Sequence, residues 1–144
     1  MTDPTLNPEM YGPDDIGKGK AALDARRQPR WPDHMDPQEA RICGRLISQI
    51  LAAGYAIRVH DGEDPATDIT SSRSKIQAAT AATDLTVYQV YDWLEAKGWT
   101  IVGQIFLVHG NGPDVIHDLS WHPQIEEMED LMNAWFEHAV EGED

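Results

Sequence analysis

No lysine or arginine follows Lys97 in this 144-residue sequence. All 11 basic residues and 15 of the 25 acids lie in residues 1–97, for a net charge of −4 there. Residues 98–144 hold the other 10 acids, for a net −10. A one-signed region of this kind repels nucleic-acid phosphates and anionic lipid, and it attracts cationic protein surfaces. Direct nucleic-acid or membrane binding is therefore not expected. Cysteine is nearly absent too. Cys43 alone excludes an internal disulfide framework and a cysteine metal cluster, and its place on an apolar helical face predicts a buried, inert thiol. There is no long apolar run, no signal-peptide pattern and no internal repeat, so a soluble cytoplasmic protein is expected. Nucleophile-elbow, His-Glu-x-x-His, kinase and phosphate-loop signatures are missing, and no cofactor is implied.

What is present points to an α+β fold. The centre of the chain is 99–121, WTIVGQIFLVHGNGPDVIHDLSW. Two β-prone runs flank an Asn-Gly turn signal, which predicts paired antiparallel strands over 99–109 and 114–121. In the first, Ile101, Ile105 and Leu107 alternate with Val102, Phe106 and Val108, so both faces are apolar and a covered central strand is expected. Residues 55–61 alternate and read as a strand, with Tyr55, Ile57 and Val59 inward. Residues 85–98 are ambiguous between helix and strand. The run Thr86–Tyr91 is rich in strand formers, so a strand over 85–91 and a turn through 92–98 are preferred.

Three helices are expected, over 37–53, 71–83 and 123–140. Asp36 can cap the first, Pro37 suits its first turn, and Glu39 can close a capping box. Ile42, Cys43, Leu46, Ile47, Ile50 and Leu51 form its apolar stripe. Arg41, Arg45 and Gln49 should face water. The expected architecture is a mostly antiparallel sheet of about four strands packed by about three helices. The domain organisation is a flexible basic arm over 1–35, carrying Lys18, Lys20, Arg26, Arg27 and Arg30, and a single domain over 36–144.

Two groups of residues could carry function. The last helix has an apolar stripe through Met128, Met132 and Trp135, with Glu126, Glu127, Glu129, Asp130 and Glu137 on the rest of its surface. With Asp61 and Glu63 of the turn after the first strand, these acids are the candidate partner-binding residues. Trp93, Trp99, Trp121 and Trp135 are many large rings for so small a domain, and any left exposed would be interface anchors. His109, Asp114, His117 and Asp118 crowd the hairpin and have the side-chain types that bind divalent metals. Their spacing matches no ligand motif, and His117 and Asp118 should point to opposite sides of a strand.

The stretch IRVHDGED, followed by VGQIFLVHGNGPDVIHDLS, resembles a group of small uncharacterised proteins encoded by proteobacterial phages and plasmids. In that group an Asp-Gly-Glu turn precedes a hairpin of the form LVYGNGxDVIxD. The matching residues are Asp61, Gly62, Glu63, Leu107, Val108, Gly110, Asn111, Gly112, Asp114, Val115, Ile116 and Asp118, with His109 in place of tyrosine. The resemblance covers roughly residues 55–121. It implies a compact α+β domain and a mobile-element setting, and no activity.

The expected function is a non-enzymatic acidic binding protein of a phage or other mobile element. It would inhibit a host nucleic-acid-binding, defence-type protein by occupying its basic surface, as a mimic of DNA charge. Homodimerisation stays open. The alternative is a metal-dependent hydrolase or small-ligand binder built on His109, Asp114, His117 and Asp118.

Overall fold

A computed structural model describes residues 31–142. The basic arm's Lys18, Lys20, Arg26, Arg27 and Arg30, and the last two acids of the tail, lie outside the described residues. The elements are α1 (Pro37–Ala52), β1 (Ala56–His60), α2 (Arg73–Ala79), β2 (Leu85–Leu94), β3 (Gly98–Val108), β4 (Ile116–Trp121) and α3 (Glu126–Glu141). The fold is α+β. The four strands form an antiparallel meander in the order β1-β2-β3-β4.

α1 starts as its sequence dictates. The Asp36 carboxylate accepts from the backbone nitrogens of Gln38 and Glu39 at 3.0 and 3.1 Å, and Pro37 occupies the first turn. Gly54, at φ +95°, takes the left-handed position after the helix. The expected stripe is buried, with Cys43, Leu46, Ile47 and Ile50 fully enclosed. Arg45 and Gln49 are only half exposed. Arg45 Nη1 donates to the Ala139 carbonyl at 2.9 Å, and Gln49 Nε2 donates to the Trp135 carbonyl at 3.1 Å. Both side chains tie α1 to α3. The alkyl stem of a long polar side chain packs on apolar surface while its head reaches a carbonyl, which a hydrophobicity pattern does not register.

The core lies between the helices and one face of the sheet. Ile57 and Val59, Tyr88 and Val90, Ile105 and Leu107 meet Ile76, Met128, Met132 and Trp135. Met35 and Trp31, placed in the arm by sequence, pack against this core. Tyr55 lies just before β1 and stacks edge-on against Trp135, with centroids 5.7 Å apart. The sheet's other face carries Arg58, Gln89, Tyr91 and Phe106, with the Arg58 guanidinium 5.5 Å from the centre of the Tyr91 ring.

Several boundaries differ from expectation, each for a local reason. β2 runs on to Leu94, because Trp93 pairs with Trp99 and prolongs the ladder past Asp92. In β3 the register shifts opposite Val90 and Tyr91, so both Val102 and Gly103 are buried and Ile101 leaves the core. A bulge breaks the simple alternation read from sequence. Residues 67–69 form no strand; isolated bridges, Ile57 to Thr70 and His60 to Pro65, and hydrogen bonds of Ala66 and Thr67 with Val59 hold that segment to β1. Ser72 caps α2, which runs over Arg73–Ala79 rather than 71–83. α3 begins at Glu126, three residues after Pro123, with Ile125 at the cap position and no side-chain cap bond.

Candidate functional site

The hairpin connection between β3 and β4 is not a two-residue Asn-Gly turn. It runs through 109–115, with a short 3-10 turn at Gly112–Asp114. Gly110 and Gly112 take positive φ, at +99° and +57°, whereas Asn111 sits at φ −103°. The two glycines point their backbone N–H groups at one acceptor, Glu39 of α1. Its Oε2 accepts from Gly110 N at 3.0 Å and from Gly112 N at 2.8 Å. Its Oε1 lies 3.2 Å from His109 Nδ1. Glu39 is 1 % exposed. A buried carboxylate is tolerated only when its lone pairs are filled, and this loop fills them. Glu39 therefore does not close the capping box expected of it; it anchors the hairpin loop to α1.

The chain of bonds continues. His109 Nε2 is 2.8 Å from Thr86 Oγ1, and Thr86 Oγ1 accepts from Ala81 N at 2.9 Å. Ala81 has φ +64°, unusual for a residue with a Cβ, and its carbonyl is 2.8 Å from His34 Nε2. With Glu39 accepting from Nδ1–H, the Thr86 hydroxyl can donate to Nε2, so the pattern suits an imidazole that carries its proton on Nδ1. A cavity of about 310 Å³ lies alongside, lined by His34, Glu39, Ala81, Asp84, His109 and Gly110.

Thr86, His109 and Glu39 stand in the order nucleophile, base, orienting carboxylate. Their surroundings do not suit that chemistry. Thr86 is 1 % exposed and its oxygen already holds Ala81 N–H. Both imidazole nitrogens are engaged within the protein. The arrangement works as a lock that joins α1, the segment after α2, β2 and the hairpin loop.

The four residues of the metal alternative do not converge. His109 turns inward to Glu39, whereas Asp114, His117 and Asp118 are exposed. His117 is skipped by the register of β4, where Leu107 pairs with Ile116 and Phe106 with Asp118. Asp118 Oδ1 accepts from the next backbone nitrogen, Leu119 N, at 2.8 Å. Among the described residues, no group of three or more His, Cys, Asp or Glu is placed to hold a metal ion.

The acidic candidates fall into two places. Glu126, Glu127, Glu129, Asp130 and Glu137 are all exposed on α3. Among the described residues, none of them makes an ion pair or side-chain hydrogen bond. Asp61 and Glu63 sit at the far end of β1. Asp61 Oδ1 accepts from Glu63 N and Asp64 N at 2.8 and 2.7 Å, and these bonds hold its carboxyl below the usual carboxylate range. Asp61 shapes its own turn. Glu127 belongs to the other end of β1. There, partial burial first, and then the charges of Asp92 and Glu127, raise the Tyr55 phenol above its ordinary value.

That same end carries the exposed aromatics. Trp93 and Trp99 are 58 % and 47 % exposed, packed edge-to-face at 5.3 Å on the β2–β3 hairpin. Asp92 and Glu95 flank Trp93 in the chain. Trp135 is in the core and Trp121 packs against it. Cys43 is buried, and burial pushes its thiol up to about 12, which leaves it unreactive at neutral pH.

Searches against protein families, curated proteins and solved structures return no match to this chain.

Proposed function

We propose that this protein is a non-enzymatic binding protein whose acidic helix α3 occupies a basic, nucleic-acid-binding surface of another protein. The observation that carries the reading is the row of five exposed acids on α3, none of them paired among the described residues. Unpaired carboxylates on a rigid helix steer a cationic partner and fix its register. Trp93 and Trp99 supply the second requirement of an interface, rigid aromatic anchors near the charge. The charges of Asp92 and Glu127 both act on Tyr55, which brings the start of α3 near that hairpin. The partner class is a protein that normally holds DNA or RNA, because carboxylates clustered at the start of α3 and continued at Glu137 imitate phosphate charge. An anti-defence role in a phage or plasmid rests on the resemblance of residues 55–121 and completes the proposal.

The test is capture from bacterial lysate at low and high salt, followed by elution with a DNA or RNA oligonucleotide. A nucleic-acid-binding protein that is retained at low salt, lost at high salt and displaced by the oligonucleotide fits the proposal. Retention insensitive to both salt and oligonucleotide contradicts it.

A further inference from the structure

The described residues contain six lysines and arginines: Arg41, Arg45, Arg58, Arg73, Lys75 and Lys97. Three of the six, Arg41, Arg45 and Arg73, line one cavity of about 720 Å³ between α1, α2 and the end of α3. His138 joins them, and among the described residues no acid lines it. In a chain of net charge −14 this is a marked local inversion of sign.

Arg73 is fixed in place and has no counter-ion among the described residues. Its Nε donates to Gln77 Oε1 at 2.7 Å, its Nη1 to Ser48 Oγ, and its Nη2 to the Gly44 carbonyl at 3.3 Å. All three acceptors are neutral. Gln77, 2 % exposed, is itself held by the core, so the guanidinium is positioned before any ligand arrives. A half-buried cation set among neutral acceptors keeps its charge available to an anion. Arg41 is exposed on the same rim and, among the described residues, makes no hydrogen bond or ion pair. Gly44 makes the site possible. A Cβ there would stand 3.1 Å from Arg73 Nη2 and 3.5 Å from the Trp31 ring. The Trp31 indole forms an aromatic wall beside the charges.

We infer that this cavity binds a nucleoside phosphate, with the phosphate on Arg41 and Arg73 and the base stacked on Trp31. Arginine forks match phosphate geometry, and a base on an indole face adds stacking without sequence preference. The volume lies within the range of small-ligand sites. The five exposed acids of α3 do not line this cavity and the protein partner takes no part, so this site and the proposed interface stand or fall separately.

The test is calorimetric titration of the full chain with AMP, GMP, adenosine and inorganic phosphate. AMP and GMP should bind, and adenosine and phosphate each should bind at least about tenfold more weakly, because each lacks one half of the recognition. Arg41→Ala alters only an exposed side chain and should weaken AMP by about tenfold, the scale of one charge-assisted contact. Trp31→Leu should bring AMP down toward inorganic phosphate. No heat with AMP or GMP at millimolar concentration overturns the inference. So does AMP binding that is equally strong in wild type, Arg41→Ala and Arg73→Lys. Circular dichroism of each variant confirms that the fold is kept.

Discussion

The carboxylate of Glu39 and the imidazole of His109, 70 residues apart in the chain, meet at 3.2 Å in the interior. Around that contact the same carboxylate takes the N–H groups of Gly110 and Gly112. The Gly-Asn-Gly loop thus serves as a receptor for the protein's own carboxylate. Glu39→Ala removes the acceptor and leaves three donors, in bonds that are part-buried, without their partner. It should lower unfolding stability by about 2–4 kcal/mol, since each unsatisfied buried group costs roughly 1–3 kcal/mol before relaxation and water entry. Glu39→Gln keeps one carbonyl oxygen and should cost less. Urea unfolding of the two variants checks the order; equal stability of Glu39→Ala and wild type would remove the lock.

Asp61 gives a prediction in pH. Its folded-state carboxyl is depressed by bonds from Asp64 N and Glu63 N, named in order of weight. A depressed value means that the ionised form favours folding. The contribution is present above the ordinary carboxylate range and is lost as pH falls through the lowered folded value. Asp61→Asn keeps the shape and the oxygen acceptor but not the charge. It should be less stable than wild type at pH 7, and the gap should close on acidification. Thermal unfolding across pH 2–7, a range of about five units chosen to span carboxylate titration, reads this directly.

Gly103 of β3 lies against Met132 of α3. A Cβ there would stand 3.1 Å from Met132 Sδ and 3.2 Å from the Ser120 carbonyl oxygen. The methionine can yield, but the backbone oxygen of β4 cannot without parting the strands. Gly103→Val should destabilise the fold by about 1–3 kcal/mol through overpacking, measured by the shift in denaturant midpoint.

Trp93 and Trp99 should separate folding from binding. Both are largely exposed, and each packs mainly on the other. Trp93→Ala and Trp99→Ala should each change stability by less than about 1 kcal/mol, as surface truncations do. Partner affinity should fall about tenfold or more, the scale of an aromatic anchor. Parallel measurement of unfolding and of partner capture tests the pair; a large stability loss with unchanged capture would assign them to the fold instead.

What could be read from the sequence was whatever depends on neighbours in the chain. The stripe Ile42 to Ile50 has helical spacing, Asp36-Pro37 marks its start, and Thr86 to Tyr91 are strand formers, so α1 and β2 were visible. The four-strand, three-helix α+β layout followed from such local signals. The extent of β2 was not visible, because the Trp93–Trp99 pairing that prolongs it needs the far side of the hairpin. The Val102 bulge and the inward turn of Arg45 and Gln49 likewise depend on the partner element. The Glu39–His109–Thr86 lock joins residues from three distant parts of the chain. Its one local trace was a glutamate in a first helical turn, which a capping box explained equally well. The arginine cavity was hidden for the same reason, since Arg41 and Arg73 become neighbours only when α2 docks beside α1.

The most direct measurement is capture of the cationic partner by wild type and by the quadruple variant Glu126→Lys, Glu127→Lys, Glu129→Lys and Asp130→Lys. These four side chains are exposed and unpaired among the described residues, so the fold should survive, as far-ultraviolet circular dichroism would show. Reversing four charges should abolish capture at all salt concentrations, because attraction becomes repulsion. Undiminished capture by a folded variant would contradict the proposal that α3 is the binding surface.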